Sequence, residues 1–210
     1  MTTIEIDINN RAFIQDRPQA SPKALPVPDH AGTVSPSGWV YYDVDNFYPQ
    51  RLQNAMRAST VVGKSITTRA ALHYGRGPMM YDTLPTDDGK QVKRLQWPDE
   101  VAHFWRKSRM TAHFPAIIRD YETFGRGWAH VVLDRGRKRV NRVFHVDASL
   151  VRVGEYPESA STETQMAYLS ADWPKPAEGE YKTYPIIDPD YPELAFQIHA
   201  DETEFFYPVS

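Results

Sequence analysis

The sequence of 210 residues contains no cysteine, which excludes disulfides, thiolate metal sites and a cysteine nucleophile and fits a reducing compartment. It has no run close to the roughly 20 apolar residues that a membrane-spanning helix needs. Its N-terminus, MTTIEIDINNRAF, carries acids and lacks the apolar stretch of a signal peptide. A soluble chain made in a cytoplasm is expected. No internal repeat is visible. A nucleotide-binding glycine loop is missing too. Gly75-Arg76-Gly77 follows a helical pattern, whereas a dinucleotide fingerprint follows a strand and opens a helix.

What is present suffices for a folded core. Hydrophobic residues make up 41%, with five Trp, twelve Tyr and nine Phe. Seventeen prolines predict long irregular stretches between short elements. Net charge is −3, but it is unevenly spread. Residues 1–146 hold 21 Lys and Arg against 14 Asp and Glu, a balance of +7; residues 147–210 hold 3 against 13, a balance of −10. Two readings stand: the acidic part lies against the basic part of the same chain, or neighbouring subunits meet basic to acidic.

Three regions follow from the pattern. Residues 1–38, with Pro18, Pro22, Pro26, Pro28 and Pro36, read as an extended arm with a short strand at Ile4, Ile6 and Ile8. Residues 39–154 read as an α+β core that begins at Trp39, Val40 and Tyr41. A long helix is expected from Pro49 to His73, capped near Asp45 or Asn46 and stopped at Gly75. Its stripe is Leu52, Met56, Ser59, Val62, Ile66 and Ala70. Residues 82–96 read as a polar excursion with a turn at Asp87-Asp88-Gly89. Two shorter helices are expected, one from Pro98 through Phe104 and Trp105, one from Pro115 to Gly125. A β-hairpin then joins Trp128–Leu133 to Lys138–Val146, followed by a strand at Leu150–Val153. Residues 155–210 read as an acidic, Pro-rich segment with strands at Gln165–Leu169, Ala195–His199 and Glu204–Tyr207. The class is α+β, helices packed on antiparallel strands.

Catalytic patterns are sparse. The seven histidines show no HExxH spacing. Taking Arg135-Gly136 as the hairpin loop sets His130 opposite Asn141 and His145 opposite Arg126, so the two do not share a zinc. His145 and Asp147 offer a base and its orienter, but no serine sits in a strained elbow. Asp43 and Asp45 read either as paired carboxylates or as solvated acids before a helix cap.

Two basic clusters remain. One is the polar side of the long helix, Arg51, Arg57, Lys64, Arg69 and Arg76, with no acid between Asn46 and Tyr81. The other is the hairpin, Arg135, Arg137, Lys138, Arg139 and Arg142. Each reads as a solvated surface or as a contact for phosphates or an acidic partner. A pI near 6.2 argues against a dedicated nucleic-acid binder.

Two passages carry a resemblance. Asp45–Gly77, DNFYPQRLQNAMRASTVVGKSITTRAALHYGRG, runs from an Asn-aromatic-Pro entry through a helix to an aromatic and Gly-x-Gly. Ala112–Gly154 has a helix ending Asp-Tyr-x-x-Phe-Gly, the strand GWAHVVLDRG, and VNRVFHVDASLVRVG with its His-x-Asp step and Arg-Val. Both are similar to the N-terminal wing region of tailed-bacteriophage portal proteins, and Phe206-Tyr207-Pro208-Val209 is similar to the segment before their stem helices. The resemblance covers roughly 40–154. It implies a structural subunit with no active site, cofactor or metal, assembled into a roughly dodecameric ring at one capsid vertex. Double-stranded DNA passes through that ring, and capsid, terminase and tail-adaptor proteins dock on it. It implies a place in the virion, reached through the host cytoplasm. Family members continue into stem, clip and crown elements, so this chain is expected to be the N-terminal part of such a subunit. The alternatives are a stand-alone protein-binding adaptor module of phage or prophage origin, and a metal-dependent hydrolase using Asp43, Asp45 or the His145/Asp147 pair.

Overall fold

The computed structural model describes residues 4–7, 12–15, 33–43, 45–85, 91–95, 97–155, 163–173 and 180–209, with the strands before residue 16 and between 81 and 95 described by backbone alone. The architecture is α+β. The turn expected at Asp87-Asp88-Gly89 and most of the arm expected over 1–38 lie outside the described residues.

At the N-terminus β1 (Ile4–Asp7) pairs antiparallel with β2 (Ala12–Gln15). The expected long helix is two helices, α1 (Tyr48–Ala58) and α2 (Thr60–Tyr74). Ser59 between them is extended, at φ −103° and ψ 107°, and its hydroxyl accepts a hydrogen bond from the Val62 amide. A serine that caps the next turn ends one helix and starts another. The β-branched run Thr60-Val61-Val62 adds to the break, because stiff χ1 rotamers weaken helix continuity there.

The polar excursion contains a hairpin, β3 (Tyr81–Pro85) with β4 (Gln91–Leu95). The next helix, α3 (Asp99–Lys107), starts behind Pro98 with two acids in its first turn. The last long helix, α4 (Met110–Phe124), begins five residues before the expected Pro115. Arg109 adopts the left-handed region at φ 49° and turns α3 sharply into α4. Pro115 then falls in the second turn, where it leaves one carbonyl of the first turn without its amide partner. Gly125, at φ 74°, ends α4.

The central sheet has the order β10-β5-β6, antiparallel throughout: β5 (Gly127–Leu133), β6 (Val140–Val146) and β10 (Glu204–Val209). The hairpin register differs from the expected one. His130 faces Phe144, and His145 faces Ala129. The connection is six residues long because Asp134 organises it. Its amide donates to Arg139 O, its carbonyl accepts from Arg137 N, and its carboxylate accepts from Lys138 N. An aspartate closing its own turn outcompetes a two-residue reversal at Arg135-Gly136.

The 3-10 turn Ala148–Leu150 leads into the second sheet, order β7-β8-β9: β7 (Val151–Val153), β8 (Met166–Leu169) and β9 (Lys182–Pro185). The segment expected as a strand over Ala195–His199 is instead helical, α5 (Pro192–Ile198). Pro192 and Glu193 in its first turn favour a helix start.

The two sheets share a core of Trp128, Ala148, Val151, Ala167, Ile186 and Phe206. A second cluster, Val131, Leu133, Ile187, Ala195 and Phe205, seats α5 on the central sheet. Ile187 N donates to Phe206 O, tying the end of β9 to β10. Residues from the acidic third are therefore integral to the core. Each fully buried phenylalanine contributes on the order of 2–3 kcal/mol. No helix among the described residues is long and apolar enough to cross a membrane.

Candidate functional site

Of the ten basic residues singled out in the sequence, three make internal bonds. Arg51 binds Asp43 and Asp45 together, at 2.6 Å from Asp45 Oδ2. The two carboxylates are thus neither an open acid pair nor simply solvated: they lock the entry to α1 onto its first turn. Arg69 Nε lies 2.9 Å from Glu122, whose side chain is only 3% exposed, and His73 Nδ1 lies 2.6 Å from the same carboxylate. Glu122 therefore fastens α2 to α4. Arg137, at φ 55°, reaches back from the hairpin loop and donates to Phe196 O at 2.8 Å.

The other seven, Arg57, Lys64, Arg76, Arg135, Lys138, Arg139 and Arg142, are exposed and make no ion pair among the described residues. Arg57 to Arg76 run along α1 and α2; Arg135 to Arg142 occupy the hairpin. No hydrogen bond or ion pair joins one cluster to the other among the described residues.

The histidines fall apart into separate contacts. His145 Nε2 is 2.7 Å from Asp120 Oδ2, not from Asp147. Asp120 is buried and also accepts from the Ala148 amide at 3.0 Å. This pair joins α4 to the end of β6. Ser108 Oγ accepts from Val143 N, so the α3–α4 corner lies on the outer edge of β6. Asp147 instead caps the 3-10 turn through Ser149 N and takes a bond from Gln53 Nε2. Burial raises its pKa, but the bonds from Ser149 and Gln53 and the nearby His145 outweigh that and hold it below the usual value. No hydroxyl bonds to His145 among the described residues. His130 lies 3.1 Å from Glu204 and stacks among Tyr184, Phe206 and Phe144. Burial pushes its pKa down, against the pull of Glu204. No three metal-ligating side chains gather among the described residues.

The most extensively hydrogen-bonded side chain among the described residues lies outside both basic clusters. Arg152, on β7, is fully buried and makes no ion pair among the described residues. Its Nε donates to Asn46 Oδ1 at 2.8 Å, its Nη1 to the carbonyls of Ser149 and Val151, and its Nη2 to Asn46 O and Gln50 Oε1. Its guanidinium lies 4.9 Å from the Tyr42 ring centre and 4.7 Å from that of Trp173. Burial lowers its pKa to about 10. Asn46 suits this place: it tolerates φ 57°, and its Oδ1 also accepts from Tyr42 N. The centre joins the entry segment of α1 to the second sheet, and so one resemblance passage to the other. A lone cation between Val151 and Val153 in an apolar strand was the sequence signal for it. No protein-family model matches the chain, and no curated protein matches it.

Proposed function

We propose that this chain is a structural assembly subunit of the tailed-phage portal type, corresponding to the N-terminal wing region, and not an enzyme. The observation that carries the reading is the coupling of the two resembling passages. Arg152, in the Arg-Val that closes the second, binds Asn46 and Gln50 in the entry of the first. Gln53 of the first bonds Asp147 of the His-x-Asp step in the second. The segments that carry the likeness thus form one folded unit. In this reading copies of the chain form a roughly dodecameric ring in the virion, assembled in the host cytoplasm. Double-stranded DNA passes through it, and capsid, terminase and tail-adaptor proteins dock on it. The seven exposed cations then face DNA or an acidic surface of the neighbouring subunit. Native mass spectrometry and electron microscopy of the purified protein test this, with closed rings as the expected species.

A second reading, a stand-alone adaptor module, is favoured by α2. Val61 is 79% exposed and Leu72 is 73% exposed, although both are apolar and lie on a helix. In this reading a protein other than a copy of this chain covers α2, and it copurifies with the chain.

A further inference from the structure

We propose that the cleft between the end of α2 and α3 is a binding site for single-stranded nucleic acid, one that stacks an exposed base and holds the adjoining phosphates. The cleft has a volume of about 450 Å³, within the roughly 300–1,000 Å³ typical of ligand sites. Tyr74, Arg76, Trp97, Trp105 and Arg106 all line it. Three of four linked rings line it: Trp105 is 5.3 Å from Trp97, and Phe114, outside the lining, lies 6.0 Å from Trp105 and 6.1 Å from Tyr74. None of the four belongs to either core cluster, and all are only partly buried. The other three tryptophans of the chain, Trp39, Trp128 and Trp173, are each 5% exposed or less.

Arg76 and Arg106 stand exposed at this cleft and make no ion pair among the described residues. No acid lines it. A ligand that fits must offer a flat apolar face and negative charge together. Nucleobases with phosphates do so, and every base has a face to stack. A duplex hides those faces inside its own stack, so the aromatic series discriminates in favour of an unpaired strand. The stretch from Phe47 to Met80 contains no acid and carries exposed Arg57 and Lys64 besides Arg76, which suits a repeating phosphate chain better than a short acidic peptide. This proposal stands apart from the portal reading, in which DNA passes as a duplex.

The test uses the whole chain, titrated with a labelled oligothymidylate of about ten nucleotides, within the range one such surface covers. A duplex of equal length and an acidic aromatic peptide serve as rivals. The single strand is expected to quench tryptophan fluorescence and to bind at least about tenfold tighter than the duplex. Arg76→Ala and Arg106→Ala are each expected to weaken it several-fold and to flatten its salt dependence. Trp97→Ala is expected to weaken it about tenfold, and Trp97→Phe to restore most of the loss. Equal binding of the duplex would overturn the proposal. So would wild-type affinity in folded Arg76→Ala and Arg106→Ala proteins, or binding of the peptide alone.

Discussion

Arg152 occupies the interior with no ion pair among the described residues. Five hydrogen bonds to carbonyl and amide oxygens and two aromatic faces take the place of a counter-ion. Replacing it with a methionine of similar length removes all five bonds from the interior, although Asn46 Oδ1 keeps the Tyr42 amide and Ser149 O keeps Gln50 Nε2. Arg152→Met is expected to cost on the order of 3 kcal/mol, read as a lower urea midpoint at unchanged slope. Acid should act on a different set of residues. His130, His113 and His199 all have pKa values lowered by burial. The unfolded chain therefore takes up protons first, and stability present above about pH 6.5 is lost as pH falls through that value. Asp147, with its lowered value, adds a further loss in stronger acid. The urea midpoint is expected to drop between about pH 7.5 and 5.5, and His130→Gln to reduce the drop; a flat profile would refute this. At this scale the sequence was partly legible. Asp120 lies three residues after Ile117 and four before Phe124, on the buried stripe of its helix, which marks it as an acid needing a partner. That the partner is His145, 25 residues on, depends on how α4 docks along β6, and no local pattern encodes that.

Among the elements, α4 and the strands of the hairpin follow from apolar periodicity, because each buries a face that the sequence marks. The departures occur where a single polar side chain overrides the pattern. Ser59 interrupts an unbroken helical stripe by capping α2, and Asp134 widens a turn that glycine alone would tighten. Ser59→Ala should cost about 1 kcal/mol through loss of the cap, measured by thermal or urea unfolding. No change would mean that the Val62 amide is equally well served by water. The helix α5 departs from the expected strand for another reason. Ala195, Phe196 and Ile198 alternate weakly enough to suit a strand, but Pro192 and Glu193 start a helix, and Ala195 packs in one cluster with Val131, Leu133 and Phe205.

On the scale of the molecule, the charge asymmetry takes on a definite form. The acidic third supplies β8, β9, α5 and β10, so its apolar residues complete the core while exposed acids such as Asp190, Glu193, Asp201 and Glu202 face outward. Arg57 and Lys64 on α1 and α2, with Arg135, Lys138, Arg139 and Arg142 of the hairpin, make no ion pair among the described residues. A single copy thus presents surplus charge of both signs, together with the exposed apolar residues of α2, which suits head-to-tail contact between copies. The portal-type reading makes that contact the basis of a ring. Native mass spectrometry of the purified chain, alone and within the longest reading frame that encodes it, tests this most directly. A closed homo-oligomeric ring that dissociates as salt rises is the predicted result; a strict monomer in both forms would contradict it.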